Sequence, residues 1–554
     1  MKYESAILKR LIDTYGVVGN PRYISEIIKE FIVRGKERYP NLFTYQSDWL
    51  AHIDEFGLNP TYTVSYTGQS IYAPNTLERP VKSAILSGQT LVNVIDFSRW
   101  GEQEKITLVA DGTAKSIGLG MNLPIKPSTK YLTIIPVYEN TINSCFTIGG
   151  WNYYEDQPRI TSADGTGIIK IIKTTRDAFP SGYSYLELWQ ENTSGQITFG
   201  KPMMIEYQEG MENWDIPFFE GMQSVKMPVL TTTGKNLLNM NDYGLRFATT
   251  FVDSTDNSIT FTTTEAWGGL VYDFYLKPNQ SYHISFESPQ TSSEIQGFIR
   301  LLNTSSSTIG GSKSYSFTTD SSGSVRLTFE TTTALENVTV SNIQIEEGDI
   351  KTSYEPYKSN ILSTPSDLEL RGIGEVKDEL NLLTGELTQR VGEIVLDGSE
   401  GWSIATEGDT TNGFSIYTSI TDRKLGANVL CEQLPVYRYD SEVSGKTNFI
   451  LAFTDQSNVV VVNIANKTTK EEAIAHLKQN PIKLQIVKEP VIKTVDLSIL
   501  DQNGQNVKQL MSFNGGTHFN TGSSEGSLLP SISVSVETDL EETLMMCSLE
   551  GNTL

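Results

Sequence analysis

The sequence predicts a mainly β protein: tandem antiparallel β-sandwich (jelly-roll) modules, with a small N-terminal helical segment before them and a C-terminal α+β/β region after them. Three observations predict it. A domain-sized stretch occurs twice. Short apolar runs alternate with polar turns through most of the chain. Helical spacing is confined to the N-terminal part and one later segment.

The repeat shows at its ends. Ile205–Phe218 (IEYQEGMENWDIPF) echoes Ile343–Tyr357 (IQIEEGDIKTSYEPY), with Ile205 on Ile343, Glu209 on Glu347 and Gly210 on Gly348. A slip of one residue then brings Pro217 onto Pro356 and Phe218 onto Tyr357. Ile343 and Ile345 alternate as on a last strand with one buried face, and Gly ends it by reaching backbone angles other residues avoid. At the opposite edge, GQTLVN (Gly88–Asn93) resembles GKNLLN (Gly234–Asn239). The units so bounded are 88–220 and 234–357.

The other elements follow in order. In residues 1–60, Ile7, Leu8, Leu11, Ile12 and Tyr15 recur at helix spacing, as do Ile24, Ile27, Ile28, Phe31 and Ile32 after Pro21. Trp49, Leu50 and Ile53 mark a third, shorter helix. So small a core reads either as an anchor docked on a larger body or as a self-contained three-helix domain. Residues 61–87, punctuated by prolines, read as a connector. In the first unit, strands are expected at Lys105–Val109, Tyr131–Val137 and Ile168–Ile172. In the second they are expected at Ser258–Thr262, Tyr282–Phe286, Val325–Phe329 and Val338–Gln344. Residues 358–399 read as a hairpin connector turning at Thr384-Gly385. Residues 400–490 form an α+β unit with strands Phe449–Phe453 and Val459–Ile464. Its helix, Lys470–Lys478, is introduced at capping-box spacing by Thr468 and Thr469 with Glu471 and Glu472. Residues 491–554 read as a C-terminal β region and acidic tail.

Composition bounds the partners. Sixty-six acidic against 43 basic residues leave a formal charge of −23, which disfavours nucleic acid or an anionic membrane as the main partner. Cys145, Cys431 and Cys547 are far apart and odd in number, so no disulfide framework is expected. No run approaches the ~18 apolar residues of a membrane span, and the N-terminus does not read as a signal peptide.

The closing QIEEG…TSYEPY, the opening GKNLLN, and DELNLLTGELTQRVGEIVLDG (Asp378–Gly398) resemble minor structural proteins of tailed bacteriophages of Gram-positive hosts. ERPVKSAILSGQTLVN (Glu78–Asn93) and EPVIKTVDLSILDQNGQ (Glu489–Gln505) extend the resemblance. It implies a tail-tip, baseplate or tail-fibre subunit of the virion, made in the host cytoplasm, with carbohydrate-binding-like modules. Its implied role is host attachment by binding cell-wall glycan or teichoic acid, and its implied partners are other tail proteins, host cell-wall polysaccharide and further copies of itself, a trimer being the family's frequent form.

No motif of catalysis occurs: His52, His283, His476 and His518 form no zinc-spaced pair, and neither G-x-S-x-G nor a phosphate loop is present. The chain therefore reads as a non-enzyme without a cofactor. Asp253 and Asp256 lie in an oxygen-rich turn that reads either as solvated or as a structural calcium site. Sugar binding fits best, through aromatic faces aided by Asn, Asp and Arg. The candidates are Trp151, Tyr153, Asp156 and Arg159 in the first unit, Trp267 and Tyr272 in the second, and Trp402 beyond them. Trp189 reads as a core strand position. The alternatives are a purely architectural tail protein and a cell-wall polysaccharide hydrolase.

Overall fold

The computed structural model describes residues 62–538 apart from 74, 76–78, 96, 98–99, 102, 122, 144, 150–153, 155, 178–184, 191–193, 303–307, 321, 406–412, 421–428, 435, 439–447, 453–458, 497–506, 514–515 and 525–526. The expected N-terminal helices and acidic tail lie outside the described residues. What is described is mainly β and antiparallel, with the α+β unit near its C-terminal end.

Segments far apart in sequence build a hub. One sheet orders strands Tyr62–Gly68, Ser531–Thr538, Ser83–Ser87, Glu379–Asn381, Glu386–Leu396, Ile482–Thr494 and Val429–Cys431. A second orders Ser70–Ala73, Thr517–Gly522, Val229–Thr233 and Ser359–Ser363, and a third Glu369–Leu370, Gly221–Lys226 and Thr90–Asn93. The segments read from sequence as a connector, a hairpin and a C-terminal region thus pair with one another. Their alternating apolar residues share one core, among them Leu86, Leu230, Leu380, Phe519 and Val534. Asp378, fully buried, ties the hub by accepting N–H groups from Arg371, Arg390 and Val391. Burial pushes its carboxyl above the usual range, and those three N–H groups pull it back.

Three modules leave the hub at hairpin tips. The chain departs at Asn93 and returns at Gly221, its cross-strand partner. It departs again at Thr233 and returns opposite at Ser359, and departs at Leu396 and returns opposite at Ile482. The third module packs the helix Lys470–Gln479 against a five-stranded sheet through Ala473 and Leu477. The helix is capped as expected: Thr469 Oγ1 accepts from Glu472 N, and Glu472 Oε2 accepts from Thr468 N.

The first two modules share one strand order. In the first, Lys105–Val109, the closing pair Gln196–Gly200 and Met203–Glu206, Lys130–Asn140 and Gly167–Thr174 make one sheet. Lys115–Met121, Tyr185–Gln190, Cys145–Gly149 and Arg159–Thr161 make the other. In the second, Ser258–Thr263, Leu335–Glu347, Ser281–Glu287 and Ser314–Thr318 repeat the first sheet. Gly269–Tyr275, Ser324–Thr331, Ile295–Leu301 and Thr308–Ser312 repeat the other. An extra strand, Thr249–Thr255 in one sheet and Gly244–Leu245 in the other, flanks each.

Equivalent hydrogen bonds set the register between them. Asn93 Oδ1 accepts from Ile95 N and Met204 N, as Asn236 Oδ1 accepts from Leu238 N and Ile345 N. Tyr131 and Tyr282 accept from Lys126 N and Lys277 N. Lys126 pairs with Glu206 as Lys277 pairs with Glu347. Hence Asn93 matches Asn236 rather than Asn239, and Met204 matches Ile345. The duplication stands, three residues out of the register its short words suggest. Both closing glycines are left-handed, Gly210 at φ 88° and Gly348 at φ 105°, yet they end different turns, which is how the words misalign.

The words themselves are a clasp. Asn236 Nδ2 donates to the carbonyls of Ile343 and Glu355, and buried Lys235 donates to Ser353 O and Thr352 Oγ1. Glu346 accepts from Thr352 N and Oγ1, and Gln344 Oε1 accepts from Glu355 N. The opening GKNLLN and the closing QIEEG…TSYEPY therefore hold each other at the module base. Asn236→Ala, which strands the N–H groups of Leu238 and Ile345, should cost about 2–4 kcal/mol. Asn239→Ala should cost below about 1 kcal/mol. Urea unfolding of the two variants checks the assignment.

The second module meets the hub at a histidine. His518 of the hub strand Thr517–Gly522 lies 3.6 Å from Glu347 Oε2 and against the Tyr72 ring. Burial, with the Lys277 ammonium beside it, pushes the imidazole down to about 3. The folded chain thus holds His518 neutral while the unfolded chain protonates it near pH 6.5. Stability is complete above that pH and falls on acidification. The expected loss between pH 7 and 4.5 is about 2–3 kcal/mol. His518→Gln should flatten this limb in urea titrations across the same range.

Candidate functional site

Alternation across the second module's sheet makes one face apolar and the other polar. Val325, Leu327 and Phe329 are wholly buried in the sandwich core, with Leu270, Tyr272, Ile295 and Ile299. Arg326, Thr328 and Glu330 take the opposite face. Cross-strand register sets Glu330 beside Gly269 and Gln296, Thr328 beside Phe298, and Arg326 between Asp273 and Arg300.

Side chains on this outer face would ordinarily be open to water, yet Glu330 is 3% exposed. Two guanidiniums cover it: Arg246 Nη1 at 3.0 Å and Arg300 Nη2 at 2.7 Å from the same oxygen. Thr328 Oγ1 donates to Glu330 Oε1 and accepts from Arg300 Nη1. Arg246 lies over the Phe247 ring and Arg300 over that of Phe298. Next to this network Arg326 grips Asp273 with two parallel bonds of 2.7 and 2.8 Å. Burial pushes the Arg246 guanidinium down, Glu330 raises it, and the charges of Arg300 and Arg326 lower it further.

Trp267 completes the patch. Its φ is 68°, a left-handed conformation that costs a bulky L-residue roughly 1–2 kcal/mol. Two backbone bonds hold it there: its N–H donates to Thr331 O at 2.7 Å, and its carbonyl accepts from Arg246 Nε at 3.0 Å. The indole is nevertheless 50% exposed. Phe247, on the other side of Arg246, is 57% exposed. A strained backbone that leaves an aromatic ring half in water adds nothing evident to the core. A polar network with aromatic faces at its border has the chemistry to bind a polyhydroxylated ligand.

The other predicted residues fall elsewhere. Tyr272 is a correction: its ring is 1% exposed, stands edge-on to Phe329 and donates its hydroxyl to Met240 O, so neither face is open to a ligand. Trp402 is likewise corrected: it is 4% exposed in the third module's core, with Nε1 bonded to Glu400. Trp151 and Tyr153 lie outside the described residues. Asp156 is exposed and ion-paired to Lys173, which with Arg159 holds its carboxyl below the usual range. Arg159 is exposed at the start of its strand. Asp253 and Asp256 sit exposed on the hairpin 249–263, and Asp253 Oδ1 accepts from Ser254 N. Among the described residues no three His, Cys, Asp or Glu side chains gather to hold a metal ion. No helix among them is long and apolar enough to cross a membrane. Cys431 is buried, its thiol pushed up to about 12 by burial. Trp189 alternates with the core residues Leu186 and Leu188, so it takes the outer face of its sheet and not the core.

Arg246, Arg300 and Glu330 were not anticipated. The alternation in SVRLTFET (Ser324–Thr331) puts Glu330 and Arg326 on one face, which was readable. That Arg246 reaches the same carboxylate depends on a loop crossing that no local spacing reports.

No protein-family model matches the chain, and no curated protein sequence does. Among solved structures, the CUB1-EGF-CUB2 domain of human MASP-1/3 aligns at 11% identity, covering 44% of this chain and all of that one. At a TM-score of 0.11 that likeness carries no argument.

Removing the Glu330 carboxylate should leave two guanidiniums facing each other. Glu330→Ala is expected to cost about 1–3 kcal/mol, with Glu330→Gln intermediate. Urea denaturation followed at two salt concentrations checks this, since added salt should recover part of the loss.

Proposed function

We propose that the chain is a structural subunit of a bacteriophage tail tip, baseplate or fibre, carried on the virion, that attaches the particle to a Gram-positive cell through cell-wall glycan or teichoic acid. The phage reading rests on the resemblance of its module-closing and hub segments. The attachment reading rests on one observation, the strained and half-exposed Trp267 beside the Arg246–Glu330–Arg300 network. The site is a binding face rather than a catalytic one, because its carboxylate is enclosed by two guanidiniums and offered to no substrate bond. Other tail proteins and further copies of the chain, in a trimer, are its proposed assembly partners. Repetition on a particle suits a shallow face of this kind, since several weak contacts made together raise avidity without a deep pocket.

Trp267→Gly separates binding from folding. Glycine accepts the left-handed backbone without strain, which offsets the lost contacts of a half-exposed ring. The variant should keep its unfolding free energy in urea within about 1 kcal/mol and lose at least tenfold in affinity for purified Gram-positive wall polysaccharide, measured by calorimetry on the full chain. Unchanged affinity in Trp267→Gly would remove the site from the proposal. A folded wild-type chain that binds none of the polysaccharide at millimolar repeat units would favour a purely architectural subunit.

A further inference from the structure

We propose that the edge strand Gly167–Thr174 of the first module is a docking surface for the same strand of a second copy of the chain, the two pairing antiparallel about a two-fold axis into one continuous sheet. The strand ends its sheet on one side: among the described residues its strand neighbour is Lys130–Asn140. Its sequence, GIIKIIKT, carries four isoleucines, and none is fully buried. Ile169 and Ile171 face the sandwich core and are only partly covered, whereas Ile168 and Ile172 face outward, 62% and 38% exposed. A side-chain carbon added at Gly167, where the strand begins, would meet nothing within 4 Å. The second module shows that the fold does not require such a strand. Thr175 and Thr319 end the two equivalents with the same bonds, each hydroxyl donating to Lys126 O or Lys277 O and accepting from Thr129 N or Gln280 N. Counting back from them sets Lys170 and Ile172 on Ser314 and Ser316, whose hydroxyls both bond His283. That strand is five residues long against eight, and polar on its outer side. An apolar edge of eight residues is a template for another strand.

The occupant follows from the strand itself. A two-fold contact needs a surface complementary to its own copy, and IIKII reads the same in both directions. Pairing centred on Lys170 sets Ile168 against Ile172 of the second copy and Ile169 against Ile171. Each face of the joined sheet then keeps its parity, and the two sandwich cores run on into each other. Charge favours the same antiparallel sense. Asp164 precedes the strand and Arg176 follows it, so the acidic end of each copy meets the basic end of the other. Lys170 would face its own copy, and a lysine on an edge ordinarily keeps strands apart. Here its ammonium is drawn away, donating to Glu212 O at 2.9 Å and Trp214 O at 2.7 Å, with the Asp215 and Glu212 carboxylates beside it. Pairing eight residues buries less than the ~1,200 Å² of a standard stable interface. The contact is therefore weak in solution and reinforced where a particle holds many copies. It uses like surfaces, whereas the ring of the proposed trimer closes through unlike ones. The strand thus links copies of adjoining trimers rather than copies within one.

The test is sedimentation equilibrium of the full chain from about 1 to 300 μM, the range in which contacts of that size form. The wild-type mass should double across the range. Ile168→Glu and Ile172→Lys each bring a charge against an isoleucine of the second copy and should weaken association about tenfold. Carrying both substitutions, the chain places the new carboxylate opposite the new ammonium twice, and association should return to within about threefold of wild type. The two positions lie four residues apart on one strand, about 13 Å, so the recovery cannot come from pairing inside a single copy. All three variants should keep the wild-type urea midpoint, because both side chains face outward. One unchanging mass at every concentration would overturn the proposal, as would single variants that associate like wild type. A double variant no better than the singles would overturn the two-fold pairing and leave a strand of a different protein as the occupant. None of these outcomes touches the attachment reading, which stands or falls on polysaccharide binding at Trp267.

Discussion

The structure depends on a constraint at three hairpin tips. A module can be inserted into a sheet only if its two ends come back to neighbouring strands, about 4.8 Å apart. Asn93 and Gly221, Thr233 and Ser359, and Leu396 and Ile482 meet that condition as cross-strand partners. In the first two modules an asparagine maintains it. Asn93 and Asn236 each bond the residue two ahead and the returning strand with one side-chain oxygen, and a carbonyl further along the exit with the amide. A short amide does this with donor and acceptor on separate atoms, where an ionised acid could only accept. The hub can then pair Tyr62–Gly68 with Ser531–Thr538 even though almost the whole described chain lies between them.

Two copies of one clasp have been put to different uses. The first module fuses with the hub: Leu132, Ile134, Met203 and Ile205 belong to the hub's core, not to the sandwich's own. The second keeps a separate core and meets the hub through polar contacts such as His518 with Glu347. A module bonded to its base by hydrogen bonds and charges leaves its sheet face less encumbered than one whose face is part of a shared core. The outer faces differ accordingly. In the strand pairing of the first module the outward residues are Glu187 and Trp189 among Ser116, Gly118 and Thr147, with one arginine, Arg159, on the edge strand beside Thr147. In the second, arginines and carboxylates occupy the same sheet.

The fold was legible wherever a local period reports it. Lys105–Val109 and Val459–Ile464 are strands at the boundaries that alternation suggests, and Thr469 caps the helix its spacing announces. The duplication was legible too, because the clasp needs nearly the same residues twice. Its register was not. Short words align on glycines, and Gly210 and Gly348 share a backbone conformation without sharing a place. The hub was harder still. A strand such as Ser83–Ser87, whose partners are Ser531–Thr538 and Glu379–Asn381, carries no mark of which distant segment will complete its sheet. At the site, an aromatic count picked Trp267 and Tyr272 together. Only parity separates them: Tyr272 sits at a core position of Gly269–Tyr275, whereas Trp267 precedes that strand in the loop.

That loop also explains why the site is rigid. Gly269 has φ 146°, and a side-chain carbon added to it would meet Phe329 O at 1.8 Å. No other residue allows the strand to start so close to Ser324–Thr331. Gly269 O in turn accepts from Arg246 N at 2.9 Å, and Gly269 N donates to Thr249 Oγ1 at 2.7 Å. Arg246 is therefore fixed at its backbone by Gly269, at its Nε by Trp267 and at its Nη1 by Glu330. A long side chain that would otherwise sample many rotamers is held at two points on an anchored backbone before any ligand arrives, which removes much of the ordering entropy that a surface arginine opposes to binding. The strain at Trp267 belongs to the same arrangement: its carbonyl must turn toward Arg246 Nε, and the left-handed backbone is what turns it.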